Sequence, residues 1–284
     1  MSDPSSSNFV LHAKSDQFYW EGTGQLSIKT FTNGRAYYKT HRGYFAVEEA
    51  RYLLLNEGPY AITIDEEHEV ESFCIFFRDG FAEDVHSSLQ AAPDKLLADP
   101  FHHSRTVGFF EKTYHLNPTL SRLLQQLKNG YSTQDALWKE EQFYKIMRAL
   151  LNVHHDVLKD VQSLKAVRYS TREEIYRRIS LAHEYIQAFY ARPIMLRDIA
   201  QAAGLSPNHL LRCYAEIYGK TPHEHITELR IAKAKQRLSQ PDCRLIDIAF
   251  EIGLNHPASF SKLFKQHVGL SPMQFRKKVI LEKK

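Results

Sequence analysis

The sequence predicts an α+β chain of more than one domain, with an antiparallel β-barrel first, helices after it and an all-α domain last. Three observations predict this order. Short alternating runs separated by turn residues fill residues 17–80, apolar residues recur at helical spacing from Pro118, and the last third contains an internal repeat. A period of two residues is typical of strands and a period of 3.6 of helices. We therefore expect domains over residues 1–116, 117–170 and 171–284.

The β-rich region is predicted from its runs and its turns. LSIKTF is followed by Asn33-Gly34 and then by RAYYKT, and Asn-Gly between two such runs predicts a β-hairpin. YLLLNEGPYAITI repeats the pattern around the turn at residues 56–58, and VESFCIFF ends at the turn Arg-Asp-Gly. Several short strands at this spacing favour an antiparallel sandwich or barrel over a parallel sheet.

Two helices are predicted after the strands. The first has four leucines on one face: Leu120, Leu123, Leu124 and Leu127. The second covers roughly residues 133–165. The second helix carries an apolar stripe over residues 137–164. These helices can pack on the barrel or pair with a second subunit, and the spacing alone favours neither.

Composition limits the class of protein. The chain has 284 residues and 43% hydrophobic content, which is enough for two compact domains. Its three cysteines are scattered, so they indicate neither a disulfide framework nor a zinc ribbon. The N-terminus lacks a basic start followed by an apolar core, and no apolar run approaches the ~20 residues of a membrane span. We expect a cytoplasmic protein with no membrane contact.

Charge is divided unequally along the chain. Residues 1–170 carry 18 Lys and Arg against 22 Asp and Glu, whereas residues 171–284 carry 19 against 11. A basic C-terminal third suits a surface that faces phosphates. A solvated helical surface explains the charge about as well.

The internal repeat predicts two helix-turn-helix units. LRDIAQAAGL, which begins at Leu196, matches LIDIAFEIGL, which begins at Leu245. Further along, Leu210, Arg212 and Tyr214 match Phe260, Lys262 and Phe264 with one extra residue in the second copy. An insertion in a turn is what two copies of such a unit tolerate.

Capping signals bound the helices of each copy. Gly204 and Gly253 can adopt the left-handed conformation that ends a helix, and Ser206 can cap the next one. Thr171 with Glu174 predicts a capping box at the start of a helix before the repeat.

A linking helix is predicted between the copies. Thr221 with Glu224 predicts its start, and its length of about 19 residues gives ~28 Å. In a helix-turn-helix the second helix lies in the major groove of DNA. Because ~28 Å is close to the ~34 Å of one DNA turn, we expect both second helices to enter successive major grooves.

These motifs resemble a known family. The helix at 173–190, the paired helix-turn-helix units, ELRIAKAKQRL and the ending GLSPMQFRK are similar to the DNA-binding domain of AraC/XylS transcription regulators, over about residues 171–282. The resemblance implies a double-stranded DNA operator as partner, RNA polymerase as a second partner if the protein is an activator, and no enzymatic activity. Met195 and Arg244 depart from the family's Ser or Thr cap, and Ala215 from its usual lysine.

The resemblance also assigns residues to DNA contacts. Base reading falls to seven residues: Asn208, Leu211, Arg212, Ala258, Ser259, Ser261 and Lys262. Arg212 and Lys262 can donate to guanine, and Asn208 can pair with adenine. Arg212 can alternatively contact a phosphate. Phosphate contacts are assigned to four basic residues, although a solvated helix surface explains this run of charges almost as well: Lys265, Arg276, Lys277 and Lys278. The repeated large apolar positions are expected to be core: Leu210, Tyr214, Phe260 and Phe264.

For the N-terminal part, the resemblance implies a cupin-like domain that binds a small-molecule effector, followed by helices that form a homodimer. The sequence identifies no effector-binding residue. The histidine pairs at 102–103 and 154–155, and the set His41, His68 and Glu71, lack the spacing of a metal site, so neither a metal nor another cofactor is expected. Two alternatives stay open: a ligand-independent regulator whose N-terminal domain only oligomerises, and a cupin-type oxygenase fused to a DNA-binding domain.

Overall fold

The computed structural model describes residues 7–90, 107–165, 168–240 and 243–282. The chain divides into two compact units, Met1–Arg177 and Arg178–Lys284. The division falls inside a helix, a few residues after the predicted boundary at residue 170. The described strands all belong to the first unit, whereas the second unit is helical.

The first unit contains one antiparallel sheet. Its strands are β1 (Phe9–Gly24), β2 (Ser27–Thr32), β3 (Arg35–Thr40), β4 (Tyr44–Glu48), β5 (Arg51–Leu55), β6 (Gly58–Phe76) and β7 (Lys112–His115). The order is β4-β3-β6-β2-β5-β7, and β1 pairs with β6. Strand β4 also contacts β5 and β7 from the far side of this order, so the sheet nearly closes into a barrel. The predicted fold class is confirmed.

The hairpin predicted at Asn33-Gly34 is wrong, because β6 lies between β2 and β3, the strands that this turn connects. Strand β6 has 19 residues, and its second half pairs with β2 while its first half pairs with β3. The turn at Asn33-Gly34 exists: Asn33 has a φ of 62° and donates to the Glu69 carbonyl, 2.6 Å away. A β-carbon on Gly34 would lie 2.5 Å from Val70, so this turn is a corner packed against β6.

The hairpin predicted at residues 56–58 is also wrong, because β2 lies between β5 and β6 in the sheet. Strand β5 pairs with β2 and β7, not with β6. Instead of closing a hairpin, Asn56 binds the segment before β7: its amide nitrogen donates to the Phe109 carbonyl (2.8 Å) and its amide oxygen accepts from the Phe109 N–H (3.0 Å). A side-chain amide that mimics a strand partner holds this connection in place.

Among the described residues, three helices complete the first unit, and a fourth continues into the second. They are α1 (Phe81–Gln90), α2 (Pro118–Gly130), α3 (Ala136–Ser163) and α4 (Tyr169–Phe189). Helix α2 is tied to the sheet by an ion pair of 2.8 Å between Lys128 and Glu71. Hydrogen bonds from Lys128 and then from His12 lower the pKa of Glu71 to about 2. The predicted capping box at Thr171 is wrong, because α4 begins at Tyr169 and Thr171 already lies in its first turn.

The apolar stripe of α3 is covered within one chain. Phe143, Met147 and Leu150 are buried, and α3 packs on α1 and α2. Leu137, at the start of the predicted stripe, is 79% exposed. The sequence left open whether this stripe packs within the chain or against a second subunit. The structure shows that its central side chains pack inside the first unit.

The second unit contains both helix-turn-helix copies. Its further helices are α5 (Leu196–Ala202), α6 (Pro207–Tyr218), α7 (Pro222–Leu238), α8 (Leu245–Glu251), α9 (Pro257–Val268) and α10 (Pro272–Glu282). Copy one is α5 with α6, and copy two is α8 with α9. Helix α7 has 17 residues and thus spans about 26 Å, slightly less than predicted. No helix of the described residues is both long and apolar enough to cross a bilayer.

Candidate nucleic-acid interface

The turn of copy one is held by its glycine and by an arginine. Gly204 has a φ of 61°, and the Leu205 N–H donates to the Ala200 carbonyl, 2.9 Å away, which ends α5. Arg178 donates to the Gly204 carbonyl at 2.5 Å. Ser206 then accepts from the His209 N–H at 3.4 Å and starts α6. The predicted turn and cap are confirmed, whereas nothing in the sequence pattern signals the contribution of Arg178.

The turn of copy two is more tightly packed. Gly253 has a φ of 78°, and a β-carbon there would lie 2.6 Å from the Ala191 carbonyl oxygen. Arg230 fixes this region by donating to the carbonyls of Tyr190 (2.8 Å) and Arg192 (3.1 Å). Gly253 is therefore required both by its backbone conformation and by a close backbone approach.

The departures from the family's cap are compensated locally. The Met195 N–H donates to the Asp198 carboxylate at 2.8 Å, at the start of α5. Arg244 makes two hydrogen bonds of 2.8 and 3.1 Å to Asp247 at the start of α8. An acidic residue in the first turn thus supports each helix start in place of a Ser or Thr cap.

Helix α6 divides its residues between core and surface as predicted. Leu210 and Tyr214 are fully buried. Asn208 and Arg212 are exposed, and Leu211 is half-buried. The candidate base-reading residues of copy one therefore share the accessible side of α6.

Helix α9 repeats this division. Phe260 and Phe264 are fully buried. The candidate reading residues are exposed, except for a half-buried Ser261: Ala258, Ser259, Ser261 and Lys262. Within the described residues, neither Lys262 nor Arg212 forms an ion pair, so both charges are available to a ligand.

The candidate phosphate contacts separate into two groups. Lys265, Lys277 and Lys278 are exposed. Arg276 is half-buried, donates to the Cys243 carbonyl and has a buried Nε without a partner in the structure. Because its guanidinium ties α10 to the start of copy two, Arg276 is a poor candidate for a phosphate contact. Sequence spacing missed this because the two residues are 33 positions apart.

Part of the basic charge of the second unit serves the fold. Arg237 and Lys233 both pair with Glu251, at 2.6 and 3.7 Å, and Lys220 pairs with Glu228 at 2.5 Å. Burial lowers the pKa of Arg230, which binds backbone carbonyls. The basic side chains available to a ligand are thus fewer than the 19 Lys and Arg of residues 171–284.

The residues considered for a metal site do not come together in the described part of the chain. His154 packs against the rings of Phe109 and Phe110, and burial lowers its pKa. Glu71 binds Lys128 and His12. Over the described ranges, no group of His, Cys, Asp and Glu has the arrangement of a metal site. The histidine pair 102–103 lies outside the described residues.

Known proteins resemble this chain in its helix-turn-helix units. A family model described as a helix-turn-helix domain matches residues 199–278. YisR, an uncharacterized HTH-type transcriptional regulator of Bacillus subtilis, is 34% identical over 96 residues, which cover 34% of this chain but only 33% of YisR. The HTH-type transcriptional activator AarP of Providencia stuartii is 34% identical over 92 residues, which cover 32% of this chain and 68% of AarP.

Among solved structures, the C-terminal domain of AraT, a response regulator from Geobacillus stearothermophilus, is 27% identical with a TM-score of 0.35, covering 36% of this chain and 84% of that chain. The family match and the identity to AarP place the chain among the helix-turn-helix regulators. It belongs to the AraC/XylS family of helix-turn-helix transcription regulators.

Proposed function

We propose that the chain is a sequence-specific transcription regulator whose second unit reads an operator in double-stranded DNA. The observation that carries this proposal is the repeated division of α6 and α9 into a buried apolar side and an accessible side with free Arg212 and Lys262. A helix that projects in this way is the element that helix-turn-helix proteins place in the major groove.

The two copies contribute different chemistry to the proposed contacts. In copy one, Arg212 can donate two hydrogen bonds to guanine, and Asn208 can bind adenine. In copy two, Lys262 is surrounded by Ala258 and Ser259, whose small side chains reach fewer base atoms. Lys265, Lys277 and Lys278 would add phosphate contacts, which supply affinity without sequence preference.

Helix α7 sets the spacing of the two copies. Its length of about 26 Å approaches the ~34 Å of one DNA turn. One chain should therefore contact two major-groove segments whose centres lie about one helical turn apart.

Further parts of the proposal concern partners. The first unit would bind a small-molecule effector in its barrel, and the protein would act as a cytoplasmic homodimer. RNA polymerase would be a partner if the output is activation. Because the central stripe of α3 is buried within one chain, a dimer would use other surfaces than that stripe.

Selection of binding sites from a randomised duplex library with the full-length protein tests the proposal. The expected result is two preferred blocks about 10 base pairs apart. Inserting about five base pairs between them turns one block to the opposite face, so the contacts of one copy should be lost while those of the other remain. Equal binding of the original and the lengthened duplex would show that the two copies do not read DNA together. Absence of any preferred sequence would refute sequence-specific binding.

A further inference from the structure

A cavity of about 520 Å³ opens between the end of α2 and the start of α3. Helix α2 contributes Gln126, Asn129 and Gly130 to its wall, and α3 contributes Trp138 and Gln142. None of the described lining residues belongs to a strand, so this cavity is separate from the interior of the barrel. Its volume lies within the range of ~300–1,000 Å³ that is usual for small-molecule sites.

Gln142 is a buried polar side chain without a partner. It is 4% exposed, and it lines the cavity. Within the described residues, its amide takes part in no hydrogen bond. Buried amides are nearly always hydrogen-bonded, because an unpaired buried amide is costly. The Gln142 amide therefore offers a donor and an acceptor, side by side in one plane, to a group inside the cavity.

The Trp138 ring is held in place beside this amide. Trp138 precedes Gln142 by four residues, so the two side chains leave α3 on the same side, with their β-carbons roughly 5–6 Å apart. A β-carbon on Gly130 would collide with the six-membered ring of Trp138. The glycine thus lets the indole pack directly on the last turn of α2, which restricts the position of the ring. A flat π surface and a planar donor–acceptor pair together suit a planar polar ring.

The wall of the cavity has no free charge. Glu141 and Lys145 are the only charged residues of the described lining, and they form an ion pair of 2.8 Å with each other. The other polar side chains, which include Gln126 and Asn129, are neutral. A neutral ligand therefore fits this cavity better than an anion, because the lining offers an anion no unpaired cation.

We propose that this cavity binds a neutral adenine ring, as adenosine or the free base, stacked on Trp138 and hydrogen-bonded to Gln142. A glutamine amide can accept from the exocyclic amino group of adenine and donate to the nearest nitrogen of the five-membered ring at the same time. Bases stack on aromatic side chains in the same way when proteins bind single-stranded nucleic acid. Guanine presents two acceptors at this edge, and the lysine that could donate to both, Lys145, is paired. The site lies outside the barrel and goes beyond the effector site proposed there.

The first test compares ligands on the full-length protein in the absence of DNA. Adenosine, ATP and methyl β-glucoside are titrated by isothermal calorimetry. One adenosine per chain should bind with a Kd below ~1 mM, the glucoside should not bind, and ATP should bind no more tightly than adenosine. Absence of adenosine binding would overturn the proposal. Equal binding of the glucoside would assign the cavity to a saccharide, tighter binding of ATP would assign it to a nucleotide, and either result would also overturn it. Because DNA is absent, these results are independent of the operator selection.

The second test examines the two proposed contacts. An adenosine analogue in which a C–H replaces the ring nitrogen bound by Gln142, 7-deazaadenosine, should bind at least ~10-fold more weakly than adenosine. The chain has two tryptophans, so Trp20→Phe leaves Trp138 as the single one. Adenosine should quench the fluorescence of this variant with the midpoint that calorimetry gives. Equal affinity for the analogue, or no quenching at saturation, would overturn the proposal.

The third test separates binding from stability. Gln142→Leu removes the amide and keeps a side chain of similar size, so adenosine should bind roughly 10- to 100-fold more weakly. The ligand-free variant should melt no lower than the wild type, because the lost amide has no partner in the chain. Gln162→Leu, at an exposed glutamine on the same helix, is the matched control and should leave adenosine binding unchanged. Unchanged adenosine affinity in Gln142→Leu, or a lower melting temperature of its ligand-free form, would overturn the proposal and leave Gln142 a structural residue.

Discussion

The two helix-turn-helix copies share one backbone design but stabilise it with different cores. In copy one, the Tyr214 hydroxyl is hydrogen-bonded to His225 at 2.6 Å and to His183 at 3.2 Å. In copy two, the matching position is Phe264, which packs on Phe260 and Phe275. Burial raises the pKa of Tyr214, so its hydroxyl stays neutral and serves only as a hydrogen-bonding group. The motif therefore requires a large buried ring, while its polarity follows from the helices around it.

The neighbouring helices explain why each copy uses its own core. His183 lies on α4 and His225 on α7, so copy one is completed by polar residues from both helices. Copy two is completed by apolar residues, among them Leu238 on α7 and Phe275 on α10. A buried hydroxyl is tolerated only where partners are supplied, and only copy one supplies them.

The largest effect is expected from removing the aromatic core of copy two. Phe264→Ala should destabilise the second unit by about 3–5 kcal/mol, because the ring is fully buried. Urea unfolding followed by circular dichroism measures this loss. Tryptophan fluorescence serves as an internal reference, since Trp20 and Trp138 both lie in the first unit. Phe250→Ala, at a 56% exposed position, is the matched control and should cost less than about 0.5 kcal/mol. Similar losses for the two variants would contradict the assigned core.

The two turns should respond differently to the same substitution. Gly253→Ala should cost about 3 kcal/mol, because left-handed strain adds to the clash with the Ala191 carbonyl. Gly204→Ala meets only the end of the Arg178 side chain and should cost about 1–2 kcal/mol. Gly269→Ala, where the backbone is left-handed and no atom lies within 4 Å of the added carbon, isolates the strain alone. Equal losses at Gly253 and Gly269 would remove the packing argument.

Base recognition should also differ between the copies. Arg212→Ala should cost about 1–3 kcal/mol of binding and relax the preference at one base pair, as a bidentate base contact predicts. Lys262→Ala should reduce sequence preference less, because its neighbours in copy two are small. Affinities for a panel of single-base operator variants measure both effects, and Arg122→Ala on α2 of the first unit controls for the loss of a positive charge. Uniform weakening across the panel would assign Arg212 to a phosphate.

The smallest effect is expected from exchanging the two core rings. Tyr214→Phe leaves His225 without its hydroxyl partner, and Phe264→Tyr places a hydroxyl among apolar side chains. Each should destabilise the second unit by about 1–2 kcal/mol, measured by the same urea titration. If Tyr214→Phe is stabilising instead, the hydrogen bonds of copy one contribute nothing to its fold.

Strand pairing was decided by tertiary structure. The Asn33-Gly34 turn is strongly indicated by sequence, yet β2 and β3 both pair with β6. A local turn signal reports the bend of the chain, but the partner of each strand depends on which distant edge is available. The same holds for the α3 stripe, because periodicity shows that a face is apolar and not what covers it.

The sequence by itself determined the helix-turn-helix units: their repeat, their turn glycines, the Ser206 cap and the Thr221 capping box. Each turn and each cap depends on residues within five positions of each other, so its physics is local. Only the tertiary structure decided that Arg276 is bound to the Cys243 carbonyl and that Arg178 and Arg230 hold the turns. Each of these depends on groups that are distant in sequence, and burial is a property of the whole assembled unit.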